Sequence, residues 1–129
     1  MILDSTFLVD FERDRKRGLL DGAVAFLAAH ENTAFAITFT IAGELAAGRS
    51  LGIDRAKWER FIKPFRLYEY TPEVAWRFGQ AYRQLQRDGK MIGANDLWIA
   101  ATALANDAAV VTRNAREFSR VEGLEVLGY

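Results

Sequence analysis

Apolar and polar positions alternate with two different periods along this chain. Short aliphatic runs bounded by polar turns predict strands, and stretches with an apolar residue every three to four positions predict helices. Ile2-Leu3 is a short run that ends at Asp4-Ser5-Thr6. Phe7, Leu8, Val9 and Phe11 open a short helix, with Asp10 and Glu12 expected to face outward and Arg13-Asp14-Arg15-Lys16-Arg17-Gly18 expected as a polar connection. Leu20, Val24, Phe26 and Leu27 then repeat at helical spacing. Ala34 to Thr38 has strand character, and Thr40 is the expected N-cap of a helix from Ile41 to Ala47 that Gly48 stops. Asp54 caps a helix with Trp58, Phe61 and Ile62 inward, closed by Pro64, and Phe65 to Tyr70 alternates as a strand. Thr71-Pro72-Glu73 is a cap followed by proline at the first helical position, starting a helix to about Arg87 whose inward residues are Val74, Phe78, Tyr82 and Leu85. Ala109 to Thr112 and Leu124 to Leu127 read as strands, with a helical turn from Asn114 to Phe118 between them.

The stretch from Gly93 to Leu104 is different: apolar on nearly every side, it belongs in an interior. Strands separated by helices imply parallel crossovers, so the expected fold is α/β, an α/β/α sandwich around a parallel sheet of about five short strands. A chain of 129 residues suits one domain, 1–129. Half of the residues are hydrophobic, enough for a core without covalent staples.

Composition narrows the chemistry. The chain has no Cys and a single His, His30. Disulfides, thiolate metal sites and a Cys nucleophile are excluded, and a Ser-His triad or a zinc site has little to draw on. Formal net charge is zero, so no global field draws the protein to nucleic acid or anionic membrane. No apolar run approaches the roughly 18 residues of a spanning helix. The expected location is cytoplasmic, with no targeting segment and no membrane partner.

Carboxylates supply the remaining chemistry. In open α/β sheets, ligands sit beyond the carboxyl ends of the strands. Asp4 ends the first strand, Glu44 lies in the helix after the second, and Asp96 opens the apolar helix that feeds the fourth. Thr112-Arg113-Asn114 follows the fourth strand, with Glu117 one turn on. Glu44 has no Lys or Arg three or four residues away with which to pair. Asn95 is available to cap the apolar helix, which leaves Asp96 without an obvious structural task. Unpaired carboxylates in one cleft repel strongly, so either some are protonated or a divalent cation neutralises them. With oxygen ligands alone the cation would be Mg²⁺ or Mn²⁺, and the chemistry metal-assisted phosphodiester hydrolysis.

These segments together resemble the PIN-domain family, and within it the VapC-type toxins of prokaryotic toxin–antitoxin pairs. The resemblance rests on Ile2-Leu3-Asp4-Ser5-Thr6, on Thr38 to Leu45, on Gly93 to Ala103 and on Val110 to Phe118, in that order and spacing. It implies a PIN-like sandwich and a Mg²⁺- or Mn²⁺-dependent endoribonuclease that leaves 5′-phosphate and 3′-hydroxyl ends. Asp4, Glu44 and Asp96 match the family's three acidic positions as catalytic residues and metal ligands, with Glu44 as ligand or as base. Ser5 and Thr112 match its hydroxyl positions. Many relatives have Asp where this chain has Asn114, so Asn114 would orient a water or ligand, with Glu117 in support. The resemblance also implies a homodimer, an RNA substrate and a cognate VapB-type antitoxin laid across the cleft. Arg113 and Arg116 are the candidate RNA contacts; Arg13, Arg15, Lys16 and Arg17 could also grip phosphates. The alternative is a catalytically inactive PIN fold that binds RNA or protein, which would show an eroded acidic set. A phosphoacceptor switch would need an Asp ending the third strand and a Lys after the last, and neither is present.

Overall fold

Five parallel strands form one sheet in the order β3-β2-β1-β4-β5: β1 (Ile2–Leu3), β2 (Ala36–Thr38), β3 (Arg66–Tyr68), β4 (Val110–Val111) and β5 (Val126–Leu127). The structure is a computed structural model describing all residues 1–129. The helices are α1 (Ser5–Lys16), α2 (Gly22–Ala29), α3 (Phe39–Ala47), α4 (Arg55–Ile62), α5 (Pro72–Asp88), α6 (Ala94–Ala105) and α7 (Ala115–Phe118). β1 lies at the centre, with Ile2 level with both Ala36 and Val110. Every residue of β1, β2 and β4 is buried, which is why these strands are continuous apolar runs rather than alternating ones.

The strand order steps one way from β1 to β3, then reverses to β4 and β5. With right-handed crossovers, α1 to α4 cover one face of the sheet and α5 to α7 the other. α1 packs on α2 and on α3, α5 packs along α6, and α3 meets α6. The reversal opens a crevice between the carboxyl ends of β1 and β4, where α/β sheets bind ligands. α6 supplies the core on its side: Leu97, Ile99, Ala100, Ala101, Thr102 and Ala103 are all buried. No helix is long and apolar enough to cross a membrane.

Several local expectations are corrected. α1 does not stop near Phe11 but runs to Lys16, so most of the supposed polar connection is helix. Asp10, Glu12 and Asp14 are buried and Val9 is exposed, the reverse of the expected facing. Burial is tolerated because each acid is paired. Asp10 and Asp14 accept from Arg13, and Glu12 accepts from Lys16 and Ser50, each at 2.9 Å. Thr38, not Thr40, caps α3, its hydroxyl accepting from the Ile41 N–H. Gly93 holds the N-cap position of α6 and no side chain caps that helix, so Asn95 does not do so. Leu20 is 82% exposed and Tyr82 42%, whereas Trp58, Phe61 and Ile62 are half-buried against the core. The turn signals hold: Asp54 and Thr71 cap α4 and α5 through their side chains, and Gly89 closes α5 in the left-handed region at φ 64°.

Helical spacing alone does not distinguish Leu85 from Leu20, but Leu85 is fully buried. Leu85→Ala should therefore lose about 2–5 kcal/mol of unfolding free energy. Leu20→Ala should change it by less than about 0.5 kcal/mol, with urea unfolding as the measurement for both.

Candidate active site

Asp4 closes β1 and caps α1 at once. Its Oδ1 accepts from the Phe7 N–H at 3.0 Å and the Thr6 hydroxyl at 2.7 Å. Its Oδ2 accepts from the Thr112 hydroxyl, just past β4, at 2.5 Å. With 2% exposure and three donors, the carboxylate has one orientation. A carboxylate has about four acceptor directions, so one on Oδ2 is left for a ligand. The Thr112 hydroxyl in turn accepts from the Asn114 N–H at 2.9 Å, which ties the β4–α7 turn to Asp4.

Glu44 lies on α3 and Asp96 in the first turn of α6, where the helix dipole favours negative charge. Both are half-buried. Burial raises the pKa of Glu44, reinforced by the charges of Asp96 and Asp4 and opposed by the Ser5 hydroxyl, which lies 3.4 Å from Oε1. Burial also raises Asp96, reinforced by Glu117 and Asp4. Neither Glu44 nor Asp96 is in an ion pair, and neither is Glu117. The acids thus share the β1–β4 crevice: Glu44 feels the charges of Asp96 and Asp4, and Asp96 those of Glu117 and Asp4. Ser5 touches Glu44, Thr112 touches Asp4, and Asn114 contributes its backbone N–H while its exposed side chain caps nothing.

No three carboxylates stand close enough to enclose one ion. A three-carboxylate cage is not required for Mg²⁺, which usually keeps several waters and takes one or two carboxylates. The all-oxygen donor set, the free acceptor direction on Asp4 and the unpaired charge on Asp96 fit such an ion. Two hollows flank Glu44. One, of 420 Å³, is bounded by Phe39, Tyr70, Asn95 and Trp98; the other, of 510 Å³, by Ser5, Val9, Arg49 and Ser50. A third, of 480 Å³, lies at the far end of α6 beside Gln84 and Asp107 and contains none of the four carboxylates.

The expected RNA contacts divide. Arg116 is exposed and unpaired, whereas Arg113 is held by Asp10, its Nη1 donating to both carboxylate oxygens at 3.0 and 3.2 Å. Arg13 and Lys16 are engaged by the buried acids of α1. Asp10, Thr6 and Tyr129 beside Asp4 escaped the sequence reading. The four-residue spacing of Thr6, Asp10 and Asp14 was the available signal, since it puts three polar side chains on one helical stripe.

Comparison with known proteins agrees with this architecture. The PIN domain matches residues 1–124, and the chain belongs to that family. It is 30% identical over 98 residues, 73% of each chain, to a protein of Rickettsia felis named ribonuclease VapC2. A ribonuclease VapC2 of Haemophilus influenzae is 39% identical over 66 residues, 51% of this chain and 50% of its own length. Among solved structures, DNA-bound VapBC from Salmonella typhimurium superposes with a TM-score of 0.76 at 27% identity, covering 98% of this chain and 96% of that one.

The raised pKa of Glu44 and Asp96 has a sign that can be checked. Their folded forms hold protons that the unfolded chain releases, so unfolding free energy falls as pH rises from the ordinary carboxylate range through the raised values. Asp96→Asn should raise Tm by about 2–5 °C at pH 7 in EDTA, with the gain disappearing near pH 4. Differential scanning calorimetry at the two pH values measures both.

Proposed function

We propose that the chain is a metal-dependent endoribonuclease, the VapC-like toxin of a toxin–antitoxin pair. The observation that carries this is the set of carboxylates facing one crevice at the strand-order reversal, two of them half-buried with no cation beside them. Burying charge in this way is costly and serves no packing purpose. Natural proteins accept such strain mainly where function needs it. Similarity to named VapC ribonucleases supports the substrate class.

Asp4 and Asp96 would hold Mg²⁺ or Mn²⁺, with Glu44 reaching the ion through a bound water or acting as base rather than as a third direct ligand. Bound there, the cation would supply Lewis acidity and offset charge on the scissile phosphate. The chain's own groups do the rest. Asp4 is fixed by Thr6, Phe7 and Thr112, so its remaining acceptor direction cannot drift. Glu44, with its pKa raised by burial and its acidic neighbours, is suited to take the proton of an attacking water. Ser5 restrains Glu44, the Asn114 side chain is free to orient a water or substrate oxygen, and Glu117 adds negative charge beside Asp96. Arg113 and Arg116 would contact the RNA backbone. Phosphoryl transfer of this kind depends mainly on positioning and charge, and it needs neither histidine nor a covalent nucleophile.

The partners follow the same chemistry. An uncompensated acidic crevice is complementary to an arginine of a cognate VapB-type antitoxin, and the similarity to VapBC supports that pairing; the same reading has the chain act as a homodimer. The location would be cytoplasmic, beside the RNA. A binding module without catalysis would have no use for the full acidic set, and Asp4, Glu44 and Asp96 are all present.

The purified chain should cleave single-stranded RNA with Mg²⁺ or Mn²⁺ and stop on addition of EDTA. Asp96→Asn should lower kcat by at least about 100-fold while leaving the far-ultraviolet circular dichroism unchanged. Cleavage that survives both chelation and the substitution contradicts the mechanism.

A further inference from the structure

Asp10 is a carboxylate with 4% exposure, one turn along α1 from Thr6, and it is not one of the acids assigned above. Three partners converge on it. Arg113 Nη1 donates to both oxygens, Arg13 Nη1 donates to Oδ1 at 2.9 Å, and the hydroxyl of Tyr129, the last residue, donates to Oδ2 at 2.5 Å. The Tyr129 ring packs edge-on against the fully buried Phe7, with centroids 4.6 Å apart. The phenol pKa is raised by burial first, then by the bond to Asp10 and the charges of Asp10 and Asp4. Tyr129 thus pins one oxygen of Asp10 while its ring is seated on the core.

Arg113 is tied at both ends. Its backbone N–H donates to the Thr6 hydroxyl at 3.3 Å, and that hydroxyl donates to Asp4. Its guanidinium has five N–H donors. Both bonds to Asp10 come from Nη1, and Nε and Nη2 have no protein partner, although the side chain is 59% exposed. A fork-to-fork clasp would use two guanidinium nitrogens. This one holds the arginine by one nitrogen and leaves the rest facing solvent, next in sequence to Thr112, whose hydroxyl donates to Asp4.

We propose that Asp10 and Tyr129 are positioning residues that fix Arg113 at the rim of the acidic crevice, where its unengaged N–H groups receive a backbone phosphate of the RNA. This rests on the nuclease function proposed above. An arginine already held loses less rotamer freedom on gripping a phosphate, and the fixed distance from Asp4 sets which phosphate along the strand it takes.

The test uses the whole 129-residue chain, with RNA binding followed by fluorescence anisotropy of a labelled single-stranded oligonucleotide in an Asp96→Asn background, and cleavage kinetics in the otherwise unaltered chain. Arg113→Ala should weaken binding about tenfold, lower the salt slope of log K by about one, and raise KM with kcat within about threefold. Tyr129→Phe removes one hydroxyl without changing charge, at an exposed chain end where misfolding is not expected. It should raise KM about threefold with kcat unchanged. In the Arg113→Ala chain, Tyr129→Phe and Asp10→Asn should have no further effect, because they act only through that arginine.

A purely structural clasp gives additive effects and a lower Tm with KM unmoved. A bystander Asp10 gives tighter RNA binding in Asp10→Asn, since a negative charge near the strand is lost. Either result overturns the proposal while leaving the nuclease function standing. A chain that neither binds nor cleaves RNA overturns both.

Discussion

The hydroxyl of Thr112 donating to the carboxylate of Asp4 joins residues 108 positions apart in sequence. It lies where the strand order reverses, between the ends of β1 and β4. Through it the N-terminal strand, the cap of α1 and the turn leading to α7 become one rigid unit. Asp4 is held from three sides, and everything around the crevice is placed relative to it: Glu44 from α3, Asp96 from α6, and Glu117 and Arg113 from the segment after β4. Without that bond the strands would still pair and Arg113 would still tie the turn to Thr6 and Asp10, but Asp4 would lose the contact that sets its Oδ2.

Two kinds of buried acid occur in this chain. Glu12 is penalised by burial, yet its hydrogen bonds to Lys16 and Ser50 and the charges of Lys16 and Lys57 outweigh that and hold its pKa low. Asp10 and Asp14 are likewise paired with arginine. Glu44 and Asp96 have no such compensation, and their pKa values are pushed up. The same fold thus pairs the buried acids of α1 with cations and leaves Glu44 and Asp96 in no ion pair. Folding stability is given up at the crevice and retained along α1, and this contrast supports a site poised for an external cation more strongly than the presence of acidic residues alone.

Much of this was legible in the sequence. Periodicity located the five strands, the apolar character of α6 and the caps at Asp54 and Thr71, because these depend on local physics. Asp4 stood out because it ends a strand, Glu44 because nothing nearby in sequence could pair with it, and Asp96 because it opens an otherwise apolar helix. The reverse held for Asp10 and Glu12, which looked like ordinary surface charges. Arg13 and Lys16 lie at pairing distance along the helix, as they would for surface charges too. The partners that come with burial, Arg113, Tyr129, Ser50 and Lys57, are 38 to 119 residues away, and no local pattern reveals those. The misplaced cap of α3 has a smaller cause: Thr38 and Thr40 are both competent caps, and only the end of β2 decides between them.

Metal binding itself tests the central claim most directly. Carboxylates with raised pKa must give up protons to bind a cation. Isothermal titration of Mn²⁺ into the chain at about pH 5.5, in two buffers of different ionisation enthalpy, should show binding with net proton release. Both the binding and the release should be strongly reduced in Asp96→Asn. Absence of Mn²⁺ binding, or binding that neither releases protons nor responds to Asp96→Asn, would contradict a crevice whose carboxylates are arranged for a divalent cation.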